Sequence, residues 1–183
     1  MAIAPPIPPS SSLDRRGLRQ AVFFDRDGVL IADTGYLSDP EDIRWMPGAH
    51  MALALLAARG YLLFVVTNQS GVARGYFPES AIARVHAAMQ ADLPLDARFT
   101  DIAWCPHHPE GSVPRFTRIC DCRKPAPGMV TSLIARHGID TSRSFLIGDR
   151  PSDMAAAAAA GIAGHLFSGG DLHRFVADLP GLT

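Results

Sequence analysis

The nine residues Val22–Leu30, VFFDRDGVL, constrain this chain more than any other stretch. Val22, Phe23 and Phe24 form a short apolar run of β-branched and aromatic residues, the composition of a strand buried in a sheet. The chain then turns polar at once, through Asp25, Arg26, Asp27 and Gly28. Ligands of open α/β sheets bind outside the carboxyl ends of the strands, which is where these two carboxylates fall. Two carboxylates this close repel each other unless a cation lies between them, so the pattern asks for a metal. Asp25 is then placed to bind the metal and attack a substrate, and Asp27 to shuttle a proton. A strand ending in an ordinary Asp-Gly turn would read the same way; the remainder of the chain decides between the two.

The strand-then-polar design recurs. YLLFVVTNQSG (61–71) is a second buried run with a polar end, FTDIAW (99–104) a third strand, and Ser144–Ile147 a fourth, followed by Gly148 and Asp149. A last short strand covers 163–167. Between them the pattern predicts helices from Pro47-Gly48 to Gly60, from 79 to about 93, over 127–137 with Gly138 closing the last turn, and over the alanine-rich 154–160. The apolar residues of the helices around Met51 and Ile82 are expected in the core. Strands alternating with helices predict a parallel sheet covered on both faces, a single Rossmann-like α/β domain over 19–183. Residues 1–18 are rich in proline and serine and then basic; they read as a flexible arm, with Arg15, Arg16 and Arg19 as a solvated tail.

Charge excludes several partners. With 17 basic and 18 acidic residues, the net charge of −1 offers no attraction for nucleic acid or an anionic membrane. No apolar stretch approaches the roughly 20 residues of a membrane span. The opening MAIAPPIPPSSS lacks the basic and apolar regions of a secretory signal. The three cysteines are odd in number and clustered, unlike a disulfide framework. A cytoplasmic monomer is the default expectation.

In a parallel sheet the carboxyl ends of successive strands share one edge, so four polar sets converge there: Asp25/Asp27, Thr67/Asn68, Lys124 just ahead of a helix, and Asp149/Asp153. Carboxylates suit a divalent cation, a hydroxyl and an ammonium suit phosphate oxygens, and one carboxylate remains to attack. This is a phosphoryl-transfer set without a Walker loop, since no GxxxxGK[ST] occurs. Separately, Cys105-Pro-His107 and Cys120-Asp-Cys122, with twelve residues between His107 and Cys120, supply three sulfurs and an imidazole. Four such ligands match a closed tetrahedral Zn²⁺ site; His108 competes with His107, but the C-x-H spacing favours His107. The metal would fold a loop too polar to pack by itself and position Arg123 and Lys124, which follow Cys122 directly.

DRDGV, VVTNQ, RKP and GDRPSD occur in the order and spacing of the four motifs of the haloacid dehalogenase (HAD) superfamily, which the chain resembles over roughly 20–170. DTGY, TNQSGVARGYF and CPHHPEGSV…CDCRKPAPGM make it similar, within that superfamily, to the heptose bisphosphate phosphatases. The resemblance implies a minimal-cap HAD domain that removes the C7 phosphate of a small phosphosugar for nucleotide-heptose synthesis. Histidinol-phosphate phosphatases share the core and zinc loop, but TNQSGVARGYF argues against them. A non-catalytic, zinc-stabilised phosphosugar-binding module is the alternative from another class, and the presence of Asp25, Asp27, Thr67, Lys124 and Asp149 together argues against it. The resemblance further implies Asp25 as nucleophile, Asp27 as acid/base, and Thr67 and Lys124 as stabilisers of the phosphoryl group. Mg²⁺ would be held by Asp25, Asp149 and the backbone carbonyl of Asp27, and the zinc loop agrees in ligand order. Substrate contacts map onto Asp33, Thr34, Gly35 and Tyr36, onto Asn68, Gln69 and Ser70, and onto Arg123, whose guanidinium suits the second phosphate. Arg150 stands where the family pattern has lysine, so its phosphate contact would differ in geometry. Asp153 has two open roles, anchoring Lys124 or capping the alanine helix.

Overall fold

The computed structural model describes residues 17–182. Five strands, β1 (Ala21–Phe24), β2 (Leu62–Asn68), β3 (Asp101–Cys105), β4 (Phe145–Gly148) and β5 (Ala163–Leu166), form one sheet in the order β3-β2-β1-β4-β5. Every pairing is parallel. The chain moves outward from β1 to β3 and returns to β4 on the other side of β1. The direction of winding therefore reverses between β1 and β4, where doubly wound sheets open a crevice.

Helices α1 (Ala49–Ala58), α2 (Glu79–Asp92), α3 (Gly128–His137), α4 (Pro151–Ala159) and α5 (Leu172–Ala177) cover the sheet. Alternation along each strand sends successive side chains to opposite faces. Val22, Phe24, Leu63 and Val65 pack with Leu53 and Leu56 of α1, Val85 and Met89 of α2, and Leu172 and Val176 of α5. Ala21, Phe23, Leu62, Phe64 and Val66 pack on the other face with Val130 and Leu133 of α3 and Ala157 of α4. Phe23 and Phe64 stack there with ring centroids 5.1 Å apart. Because both faces are covered, these strands show no apolar/polar alternation in sequence. The sheet sandwiched by helices is the expected α/β architecture. Between β1 and α1 lies only a loop with a 3-10 turn at Pro40–Asp42.

Several details differ from the sequence expectation. Most of the expected arm, residues 1–16 with Arg15 and Arg16, lies outside the described residues. Arg19 is not a solvated tail: its backbone pairs with Gly138 and Asp140, and its guanidinium donates to the His137 carbonyl at 2.8 Å. A cation at the last carbonyls of α3 is favoured by the helix dipole. Met51 is 60% exposed, because Ala49, Ala52, Leu53 and Leu56 make the buried stripe of α1 and residue 51 falls outside it. Helix α4 starts at Pro151, where a proline without an N–H fits the first turn. Helix α5 was not expected; its signal is Asp171, whose side chain caps it by accepting from Arg174 N at 2.9 Å.

Phe64 is wholly buried at the centre of one layer. Phe64→Ala is expected to cost about 3–5 kcal/mol in denaturant unfolding, as a large core truncation does.

Candidate active site

Where β1 and β4 part, both strands end in acids. Asp25 N donates to Ile147 O at 2.9 Å, tying the end of β1 to β4. Two glycines permit the closeness that follows. A Cβ at Gly28 (φ 83°) would meet the carboxylate of Asp149, and one at Gly148 would meet the side chain of Asp153. The first turn of α4 thereby brings Asp153 against the end of β4.

Lys124 reaches into this cluster, almost fully buried. Its ammonium lies 2.9 Å from Asp25 Oδ1 and 2.6 Å from Asp153 Oδ1, and donates to the Val66 carbonyl at 2.7 Å. Asp153 does both of the jobs the sequence left open. One carboxylate oxygen pairs with Lys124, and the other accepts from Arg150 N at 3.0 Å, capping α4. Burial pushes the Asp25 carboxyl up to about 6, with Lys124 acting in the opposite direction and Asp153 adding to the rise. Burial likewise raises Asp149, opposed by Arg150 and reinforced by Asp153.

Oxygens of Asp25, Asp149 and Asp153 lie within 4.8 Å of one another, and Asp149 Oδ1 is buried without a hydrogen-bond partner. Three carboxylates against one ammonium, with an orphaned acceptor among them, is a donor set that fits a divalent cation. The Asp27 side chain is not in this group. It is held by Arg26, whose Nε and Nη2 donate to Oδ1 at 3.1 and 3.0 Å, and by Gln69 Nε2, which donates to Oδ2 at 2.8 Å.

Gln69 also donates to Thr67 Oγ1 at 2.8 Å and accepts from Arg26 at 3.0 Å, so its amide is occupied by site residues. Asn68 is similarly engaged. Its side chain donates to Lys124 O and accepts from Lys124 N, both at 3.0 Å, a two-point clamp on the backbone that carries the ammonium. Expected as substrate contacts, Asn68 and Gln69 border the site while fixing its other members.

Asn68 and Gln69 line, with Asp25, Asp27, Thr67 and Lys124, a cavity of about 530 Å³ whose lining does not include Asp149 or Asp153. Asp25, Asp27, Thr67 and Lys124 form its floor; Asp33, Gly35, Tyr36, Ser70, Arg123 and Arg150 form its walls. Thr34 is exposed and does not border it. Arg150 and Asp33 pair across the mouth at 2.8 Å, and the exposed Tyr36 ring packs edge-on against Tyr76 at 4.5 Å.

The cysteine pairs and His107 also meet. The Cys105, Cys120 and Cys122 sulfurs lie 3.1–3.5 Å apart, and His107 Nδ1 faces Cys105 at 3.6 Å and Cys122 at 3.3 Å. No disulfide joins them. Four inward-facing soft donors fit a tetrahedral cation. Burial pushes the Cys105 thiol up, so a cation is what would favour its thiolate. Arg123 Nη1 donates to His107 O at 3.2 Å, which fastens the loop to the cavity wall.

A HAD-hydrolase-like family model matches residues 121–175. The D-glycero-beta-D-manno-heptose-1,7-bisphosphate 7-phosphatase of Rhodopseudomonas palustris is 46% identical over 86% of this chain and 88% of its own. The protein of the same name from Salmonella typhi is 43% identical over 78% of this chain and 76% of its own. The chain belongs to this phosphatase family. It is an enzyme, a phosphoric monoester hydrolase of the HAD superfamily. The crystal structure of a D,D-heptose 1,7-bisphosphate phosphatase from B. bronchiseptica, complexed with magnesium and phosphate, superposes with a TM-score of 0.72 at 32% identity, covering 90% of each chain.

Two residues of the site were not picked out from sequence. In sequence Arg26 is part of a polar turn, yet it is 1% exposed and grips Asp27. His86, on α2, contacts Arg26 Nη1 at 3.4 Å. The only local signal is a basic residue between two acids, and no local signal marks His86.

Lys124→Met would strand two buried carboxylates, so a loss of about 3–5 kcal/mol is expected by denaturant unfolding of the metal-free protein. The penalty should grow as pH rises, because at low pH the abandoned carboxylates escape their repulsion by binding protons. A pH-independent loss would argue against the ion pairs as its source.

Proposed function

We propose that this enzyme removes the C7 phosphate of D-glycero-β-D-manno-heptose 1,7-bisphosphate, leaving the 1-phosphate for nucleotide activation. The supporting observation is the convergence of Asp25, Lys124, Asp149 and Asp153 at the β1/β4 crevice, in a chain whose relatives carry that activity in their names. Asp25 attacks phosphorus in line; the bond from Asp25 to phosphorus forms as that between phosphorus and the C7 oxygen breaks. Asp27 protonates the departing alkoxide, then takes a proton from the water that splits the aspartyl-phosphate, releasing inorganic phosphate and free Asp25. Thr67 and Lys124 hold the phosphoryl oxygens as charge moves across them.

Mg²⁺, held by Asp25, Asp149 and the backbone carbonyl of Asp27, would offset the repulsion between nucleophile and phosphate. Asp153 anchors Lys124 beside Asp25. Asn68 and Gln69 keep Lys124, Thr67 and Asp27 in register, while Asp33, Gly35, Tyr36, Ser70, Arg123 and Arg150 meet the sugar and its second phosphate. Asp33 and Arg150 give up their mutual ion pair in part when the phosphosugar enters. Cys105, His107, Cys120 and Cys122 would hold a structural Zn²⁺, which would fix the loop whose His107 carbonyl keeps Arg123 against the cavity.

Phosphate release with Mg²⁺ from both heptose bisphosphate anomers and from histidinol phosphate tests the reading. Turnover of the β anomer is expected to exceed the other two, and Asp25→Asn to fall to background. A preference for histidinol phosphate would overturn the substrate; activity surviving in Asp25→Asn would overturn the covalent step.

Removal of zinc, followed by restoration of Mg²⁺, is expected to lower both kcat/KM and the melting temperature while leaving measurable chemistry. Unchanged kinetics in protein verified as zinc-free would sink the role given to the loop.

A further inference from the structure

His86 is a buried imidazole, 8% exposed, that takes no part in the steps above. Helix α2 presents it to Arg26, a guanidinium 1% exposed. A buried guanidinium is tolerable only when its N–H groups find acceptors. Nε and Nη2 find them in the Asp27 carboxylate and in Gln69 Oε1. Nη1, on the far edge of the fork, meets His86 Nε2 at 3.4 Å. The guanidinium does not release its proton, so Nε2 must be the acceptor, and the ring is neutral with its hydrogen on Nδ1. Burial and then the charge of Arg26 push His86 down to about 3, which keeps it in that state.

The geometry matters because Asp27 and Gln69 both pull on one side of a planar group. Two anchors on one side leave the plane free to swing; a third on the opposite edge fixes it. The third comes from a helix, a more rigid support than a loop. We infer that His86 is a positioning residue for proton transfer: it fixes the Arg26 guanidinium, which in turn holds the Asp27 carboxylate in the rotamer used toward the leaving oxygen and the hydrolytic water. The inference rests on Asp27 being the acid/base.

A leaving-group comparison separates this role from simple structural support. The C7 alkoxide needs a proton as it leaves, whereas p-nitrophenolate does not. Values of kcat/KM would be measured for the heptose bisphosphate and for p-nitrophenyl phosphate in His86→Leu, with His86→Met as a second apolar replacement and His86→Gln as the variant that restores an acceptor. The apolar variants are expected to lose about 10- to 100-fold on the sugar phosphate and less than about threefold on the aryl ester, and His86→Gln to recover most of the difference. Equal losses on both substrates, or no loss on either, would overturn the inference. Asp27→Asn is the control. If it shows the selective loss and the apolar His86 variants do not, the positioning role alone fails. If Asp27→Asn itself loses both substrates equally, the acid/base assignment falls and the role of His86 with it.

Discussion

The contact on which this site depends is the Lys124 ammonium among Asp25, Asp153 and the Val66 carbonyl. It pairs with carboxylates that follow β1 and stand on α4 and donates to a carbonyl of β2, so one side chain fastens three separate elements at the crevice. Burying such a cluster is costly, and ion pairs of this kind are weak evidence for added stability. The arrangement makes chemical sense instead. It holds a cation beside the Asp25 carboxylate and leaves surplus negative charge, with the orphaned Asp149 oxygen, that fits a divalent metal.

Placing that ammonium requires support from outside the sheet. Asn68 clamps the Lys124 backbone on both its N–H and its carbonyl, which links the end of β2 to the segment following the cysteine loop. The loop itself has little apolar material; its small cluster joins Phe116 to Val72, Ala73 and Ile82. Three sulfurs and an imidazole gather at its base, a donor set through which a bound metal would supply what packing cannot. Through the bond from Arg123 to the His107 carbonyl, the same loop becomes a wall of the cavity. The cysteine loop and the carboxylate cluster are thus neighbours by covalent connection as well as by hydrogen bonding.

The opposite side of the crevice is organised by Arg26. It lies between Asp25 and Asp27 in sequence, yet it turns away from the cavity mouth, and its charge is satisfied by Asp27, Gln69 and His86. Asp25 and Asp27, two residues apart, therefore sit in different electrostatic surroundings, one beside an ammonium and the other in the fork of a guanidinium. That division suits one carboxylate to attack and the other to manage protons.

Much of this was legible in the chain. The buried strands announce themselves by β-branched and aromatic runs, and the polar residues that end them fall on one edge because parallel strands share a direction. The paired Cys-x-His and Cys-x-Cys spacings gather as expected, since ligand chemistry is written into residue type. What could not be read locally are contacts between residues far apart in sequence. The pairing of Arg150 with Asp33, the occupation of Asn68 and Gln69 by Lys124 and Asp27, and the approach of His86 to Arg26 are all of this kind. Helix α5 escaped for a related reason: six residues are too few to show a period, and its two buried residues are explained only by the core they join beside α1. The sequence by itself determined the layers, the chemistry of each strand end and the metal-ligand types, because these follow from side-chain periodicity and residue identity. The tertiary structure alone decided which polar groups hold one another and which remain free for a substrate, because hydrogen bonds are settled by distances of a few ångströms that no local pattern encodes.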